Sequence, residues 1–481
     1  MHRQLRTALA TAAAAALTGG LLVAATGTAS AAPSGIQGDF NGDGYRDVAV
    51  TASGAAVNGK TGAGSVSILY GSASGAGASK IQTVSQDSTG VPGAAEKNDY
   101  FGSMITAGDF NGDGYTDIAA GSSGEDVGSD VDGGSVTILW GASSGLSGGT
   151  NVKDPSAGSH DRFGGIVTAG DYNGDGKTDL AISADQNFVD IYRGGFTKTG
   201  STGGHYKVTT QVQKVPGFDL FNLTAGDVNH DGRTDLLVDG YESDSTEGWN
   251  ANFYLPGSAS GVTTSGTRKL PAGIISDIGD VNGDGYGDIV IGAQWDTDVP
   301  GSHKGGVVTV VYGTASGPTG GQDSINQDSP GVPGTGESDD VFGYEISLGD
   351  INGDGMDDLA VGSPGEDLNG VADAGMVSVI YGSPSGFATA GAQSFAQDTP
   401  GVPGGNEKGD GFGAEVYLTD TNGDGKADLT VGSPQENSAD GYVVTFNSDG
   451  TKLVPTGKGY GLTAVKVSAT GTPLLGGNMA G

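Results

Sequence analysis

Seven copies of one nine-residue pattern, Asp-x-Asn-x-Asp-Gly-x-x-Asp, run along this 481-residue chain. They occupy Asp39–Asp47, Asp109–Asp117, Asp171–Asp179, Asp227–Asp235, Asp280–Asp288, Asp350–Asp358 and Asp420–Asp428. Successive copies begin 70, 62, 56, 53, 70 and 70 residues apart, which divides the chain into units of similar length. Self-similarity of this kind marks an array whose units bury their faces only against one another.

Each copy runs straight into a short apolar segment, such as Val48-Ala49-Val50, Ile118-Ala119-Ala120 or Ile289-Val290-Ile291. These are too short for helices and read as strands. About 20 residues later comes a β-rich run closing in an aromatic and a glycine, as at Tyr70-Gly71, Trp140-Gly141, Tyr312-Gly313 and Tyr381-Gly382. A more polar run follows, for example Ile81 to Gln86, and a fourth precedes the next Asp loop, as Met104 to Ala107. Four strands per unit with glycine-rich turns describe a propeller blade, and seven units fall within the usual range of about 4 to 8 blades. The predicted fold is therefore an all-β, seven-bladed β-propeller of four-stranded blades. Too few residues precede Asp39 to supply the strand found before the other loops. The similarity of Gly459-Tyr460-Gly461-Leu462-Thr463-Ala464-Val465 to the segment beginning Gly411-Phe412-Gly413 predicts that a C-terminal strand there completes the first blade.

Oxygen-bearing side chains at loop positions 1, 3, 5 and 9, a glycine at 6 and a free carbonyl at 7 make the donor set of a hard cation with six to eight oxygen ligands. Calcium suits this set better than magnesium, which prefers fewer protein ligands in near-ideal octahedra. The expected ligands are Asp39, Asn41, Asp43, Tyr45 and Asp47; Asp109, Asn111, Asp113, Tyr115 and Asp117; Asp171, Asn173, Asp175, Lys177 and Asp179; and Asp227, Asn229, Asp231, Arg233 and Asp235. The remaining loops contribute Asp280, Asn282, Asp284, Tyr286 and Asp288; Asp350, Asn352, Asp354, Met356 and Asp358; and Asp420, Asn422, Asp424, Lys426 and Asp428. The residue at position 7 acts through its carbonyl in every loop. An EF-hand shares the opening of the motif but needs Glu at position 12, where this chain has Val, Ala or Ile inside a strand. Up to seven structural Ca2+ ions are expected.

The composition agrees with that reading. With 57 Asp and Glu against 22 Lys and Arg, the net charge of −35 disfavours nucleic-acid binding, and the absence of cysteine excludes disulfide cross-links. Arg3 and Arg6, an uncharged Ala-rich run from Ala8 to Ala25, and the small residues Ala29, Ser30 and Ala31 follow the order of a secretory signal. Cleavage after Ala31 is expected, giving a secreted, extracellular, monomeric propeller over 32–481 with no membrane span.

The motifs resemble the FG-GAP repeat proteins, best known from the seven-bladed propeller of integrin α chains. Phe-Gly opens a unit at Phe101-Gly102, Phe163-Gly164, Phe342-Gly343 and Phe412-Gly413, and Gly-Ser-Pro recurs at Gly362 to Pro364 and Gly432 to Pro434. In the middle of the chain Phe221-Asn222 replaces Phe-Gly and Ile274-Ile275 lacks it. The resemblance implies adhesion or recognition of an extracellular protein or glycan, with the calcium loops facing away from the principal ligand surface.

No catalytic residues are identified. Gly141-Ala142-Ser143-Ser144-Gly145 matches the hydrolase elbow, but it occupies the same turn as Gly71 to Gly75 and lacks the required strand-to-helix setting. His160, His205, His230 and His303 are scattered over different units. A hydrolase is thus supported only by analogy with enzymes that carry similar repeats. A lectin-like propeller is the stronger alternative, with Tyr241, Trp249 and Trp295 as candidate ligand-binding aromatics in the two divergent units.

Overall fold

The computed structural model describes residues 34–213, 220–242, 250–297, 299 and 301–481. The expected signal peptide, 1–31, and Trp249 lie outside the described residues. The remainder forms seven four-stranded antiparallel sheets, the blades of a propeller. Blade 2 shows the order from the axis outward: Phe101–Gly108, Asp117–Ser122, Ser135–Leu139 and Gly149–Asn151, each hydrogen-bonded to the next.

The second strand of a blade lies between neighbouring blades, so both of its faces are covered. Val48–Ala52, Asp117–Ser122 and Asp358–Ser363 are buried at every residue. This explains their continuous apolar runs, in contrast to the alternation of a sheet with one wet face. The outer strands, such as Arg268–Lys269 with both residues exposed, are polar.

An inner strand has one unpaired edge, a liability in any open sheet. Side chains of the preceding blade satisfy part of it. The backbone N–H of Ile105 donates to Asn478 Oδ1 (3.2 Å), Leu348 to Asp277 Oδ2 (2.8 Å), Leu418 to Ser347 Oγ (3.0 Å) and Met479 to Glu415 Oε1 (2.9 Å).

The ring closes as expected, but not through the expected segment. Lys458–Tyr460 is the outer strand of blade 7, and Leu462–Val465 is a single helical turn. The strand that completes blade 1 is Met479–Ala480, paired with Val50 and Ala49. Its Phe-Gly counterpart is Leu475-Gly476. Leu475 is fully buried and bridges in parallel to Gly441, as Phe342 bridges to Gly306. Gly476 has φ 88°, matching Gly413 at 92°. A Leu in place of Phe fills the same site, and this disguised the motif. Ala55–Ala56 pairs with Ser468–Gly471 and pins the C-terminal segment to blade 1 a second time.

Phe221-Asn222 is not a displaced Phe-Gly either. Asn222 pairs with Asp239 within the inner strand Leu220–Gly226, and Phe221 is half-buried against Tyr241, whereas Phe101, Phe163, Phe342 and Phe412 are buried.

Candidate metal loops and the opposite face

In blades 2 to 7 the Asp loop joins the inner strand to the second strand; in blade 1, whose inner strand is the C-terminal Met479–Ala480, the loop leads into the second strand Val48–Ala52. The loops therefore share one face of the ring with the turn that follows each third strand. Position 1 organises the turn. Asp39 Oδ1 accepts the N–H of Gly42 (2.6 Å) and Asp43 (3.2 Å), while Oδ2 accepts that of Gly44 (2.8 Å). Asn41 Oδ1 accepts from Asp43 and Asp43 Oδ1 from Tyr45, so local side-chain bonds fix the turn before any ligand arrives. The pattern at position 1 recurs in the other loops, as at Asp280 and Asp350. Position 6 takes φ between 78° and 93°, for example at Gly44 and Gly232, a region costly for a residue with a Cβ. Position 4 is left-handed too. Six loops use glycine there, and the fourth uses His230 at φ 54°.

Position 9 does more than the motif reveals. Asp47 Oδ2 accepts from Phe40 N–H within the loop (2.9 Å), and Oδ1 accepts from Gly71 N–H at the end of the third strand (2.8 Å). Asp117 does the same with Phe110 and Gly141, and Asp358 with Ile351 and Gly382. In blade 7, Ser448 replaces the glycine as donor to Asp428. In blades 1, 2, 5 and 6 the donor glycine follows an aromatic residue and lies 24 or 25 residues after position 9, which was the available signal for this clasp. The loops also interlock around the ring. The position-8 N–H of one blade donates to the position-1 carbonyl of the blade before it: Thr116 to Asp39 (3.1 Å), Thr234 to Asp171 (2.9 Å), Asp357 to Asp280 (2.9 Å) and Ala427 to Asp350 (2.7 Å).

The electrostatics leave room for a cation. Burial pushes Asp47 and Asp117 up to about 8, and repulsion from the acids at positions 1 and 5 adds to it. Asp288 and Asp358 rise to about 7 and Asp179, Asp235 and Asp428 to about 6, again with burial first. At Asn111, position 3 of the second loop, both side-chain polar atoms are buried without a protein partner. Among the described residues no three or more His, Cys, Asp and Glu side chains converge on one point. Each loop instead offers carboxylates, an amide oxygen and a carbonyl, the mixed oxygen set suited to calcium.

The opposite face carries the second-to-third-strand loops and the connections between blades. It holds a cleft of about 630 Å3 across blades 2 to 4, with Tyr100, Met104, Asp132, Arg162, Asp185 and Phe221 in its wall. Tyr100 and Arg162 each precede a Phe of the repeat and have φ of 53° and 58°. Gly411 fills that place in blade 7 at φ 61°. Of the candidate ligand aromatics, Tyr241 packs edge-on against Phe221 at 5.0 Å between ring centres, and Trp295 is half-buried in blade 5. They are not brought together in the cleft wall.

Comparison with known families agrees with this architecture. The FG-GAP repeat model matches residues 32–69, 101–139, 272–311, 342–380 and 412–446, and the FG-GAP-like repeat model matches 171–238. The chain is an FG-GAP repeat protein. Its Asp-rich turns are typical Ca2+ sites of that family. This FG-GAP propeller is 27% identical to integrin alpha-PS2 of Drosophila melanogaster over 283 residues, covering 58% of this chain and 16% of the relative. It is 32% identical to phosphatidylinositol-glycan-specific phospholipase D of Dictyostelium discoideum over 163 residues, 32% of this chain and 17% of that one. Integrin alpha-3 of Cricetulus griseus matches at 31% over 157 residues, 32% of this chain and 13% of the relative. The chain thus spans less than a fifth of each. Among the described residues no helix is long and apolar enough to cross a membrane.

Proposed function

We propose that this FG-GAP propeller is an exported, calcium-stapled recognition module that engages an extracellular protein through the face opposite its Asp loops. The observation that carries the reading is the division of labour between the two faces. One is built from seven copies of a single loop, hydrogen-bonded from loop to loop at four blade junctions. The other varies in sequence and holds a cleft walled by Tyr100, which is 40% exposed, and Arg162, both in left-handed backbone. Strained, exposed residues of this kind gather at binding sites. The loops would hold Ca2+ through the side chains at positions 1, 3, 5 and 9 and the carbonyl at 7. The ion would supply neutralisation of the acidic ring, coupling occupancy to the folded state by linkage.

Two experiments test the two halves of this reading. Thermal unfolding in calcium and in chelator, with bound metal counted by elemental analysis, should show several Ca2+ per chain and a large rise in melting temperature. An unchanged melt with no bound metal removes the calcium half. Binding of the labelled chain to cell surfaces and immobilised extracellular proteins should be saturable and weaken at least tenfold in Arg162→Ala. Glycan-array hits with no protein binding would favour the lectin reading, and turnover of a phosphatidylinositol-glycan would favour the hydrolase reading.

A further inference from the structure

Blade 4 departs from its sisters at the residue four places after loop position 9. There the other blades carry Thr51, Gly121, Ser183, Gly292, Gly362 and Gly432. The four glycines lie so close to the carbonyl oxygens of Gly164, Gly343, Gly413 and Gly476, the repeat glycines of the blades that follow, that a Cβ would not fit. Blade 4 has Asp239 at this place, and blade 5 after it lacks Phe-Gly. The two departures meet at one junction.

Asp239 sits in the middle of a cross-strand row. It is paired with Asn222 of the inner strand on one side and with Asn252 of the third strand, Asn250–Leu255, on the other, so the three side chains share a face of the sheet. Leu237 and Tyr254, two residues along on that face, cluster with Ile289 and Ile291 of blade 5, so the row looks into the junction of blades 4 and 5. Asp239, Asn252 and Asn250, the next residue of that face, are 1%, 0% and 5% exposed. On each of them Oδ1 is buried without a hydrogen-bond partner among the described residues. Neither amide beside Asp239 gives it a proton. Asn222 Nδ2 donates to Thr224 Oγ1 along its own strand (3.2 Å), and Asn252 Nδ2 donates to Pro271 O (2.8 Å), just past the outer strand Arg268–Lys269. With its NH2 turned to the outer edge of the blade, Asn252 keeps Oδ1 on the Asp239 side. Burial alone pushes the Asp239 carboxyl up, with no hydrogen bond or opposite charge set against it. Three buried acceptors with no donor among them are costly unless a positive group joins them.

We propose that the junction of blades 4 and 5 binds one monovalent metal cation through the carboxylate of Asp239 and the side-chain oxygens of Asn250 and Asn252, separately from the seven Asp loops. An all-oxygen set takes a hard ion. One carboxylate neutralises one positive charge, whereas a divalent ion would leave net charge buried beside Leu237, Tyr254 and Ile291. Na+ and K+ are the ions of that class. Side chains directly opposite on adjacent strands have Cβ atoms about 4.5–5.5 Å apart and diagonal ones about 7–8 Å, so the three oxygens reach a shared ion.

The test is thermal unfolding of the full chain at fixed Ca2+ and fixed ionic strength in NaCl, KCl and tetramethylammonium chloride, whose organic cation is too large for the site. By linkage the melting temperature should stand at least about 2 °C higher in Na+ or in K+ than in tetramethylammonium. Asp239→Asn should lose that difference, and so should Asp239→Gly, which restores the residue of blades 2, 5, 6 and 7. Where K+ gives the larger rise, crystals in RbCl should show an anomalous peak between Asp239, Asn250 and Asn252. Equal melts in the three salts would overturn the proposal and leave a proton on Asp239, donated to Asn252 Oδ1, as the explanation of the row. A salt-specific rise that survives in the Asp239 variants would overturn it as well, by placing the cation elsewhere. If Asp239→Asn does not fold, Asp239→Gly decides.

Discussion

A single carboxylate at position 9 joins three parts of each blade: its own loop, the start of the second strand and the end of the third. Replacing Asp47 by Asn turns one of its two acceptors into a donor facing a donor, either Phe40 N–H or Gly71 N–H. A buried donor left unpaired costs about 1–3 kcal/mol. Asp47→Asn should therefore lower stability to urea even in chelator, and by more in calcium, where an ion is lost as well. Equal losses in the two conditions would show that Asp47 is only a clasp. At position 4 the direction reverses. His230 holds φ 54° where six loops have glycine, so His230→Gly relieves strain at some entropic cost in the unfolded chain. The net expectation is a gain of roughly 0.5–1 kcal/mol, read as a higher urea midpoint; a lower midpoint would mean that the imidazole contributes more than its backbone strain costs.

At the scale of elements, the blade was legible because its signals are local. The Asp loop, the apolar second strand and the aromatic-glycine ending of the third each sit within a few residues and repeat. The closing strand was not legible in detail, because its identity depends on what it packs against. Leu475 occupies a pocket that Phe fills elsewhere, and Gly476 adopts the φ of the repeat glycine, yet Leu-Gly alone carries no signal. The Gly459 to Val465 segment carried the signal and serves a different strand. The clasp between Asp47 and Gly71 was hidden for a related reason: the donor is a backbone N–H 24 residues away, and motif reading counts side chains. Leu475→Ala should cost about 2–5 kcal/mol, the usual range for emptying a buried Leu site. Its effect should include increased protease sensitivity at both ends of the chain, since the same strand joins blade 7 to blade 1. A stability loss with both termini still protected would show that Ala55–Ala56 and Ser468–Gly471 hold the closure without it.

Across the whole molecule, acid is concentrated at the axis as well as on the two faces. Glu345, Glu415 and Asp277 lie on or beside the inner strands of blades 5 to 7, away from the loop ligands. Burial raises all three, Asp277 to about 6, and the charge of Asp277 raises Glu345 further, as that of Glu345 does Glu415. In the unfolded chain Asp and Glu return to their ordinary values of 3.8 and 4.5. Between those values and the raised ones the folded protein holds protons that the unfolded chain has released. Stability must then fall as pH rises through this window and recover as pH is lowered towards 4.5, opposite in sign to a salt-bridged carboxylate. In chelator, the melting temperature of this propeller should rise when the pH is brought from 8 to 6. The loop aspartates add to that trend, so the axial share needs a difference measurement. Glu345→Gln/Glu415→Gln keeps side-chain oxygens for the backbone donors of Ile346 and Met479 while removing both charges. Its melting temperature should exceed that of the wild type at pH 8, and the gap should close towards pH 6. A gap that stays constant across this range would mean that the pair remains ionised in the folded ring.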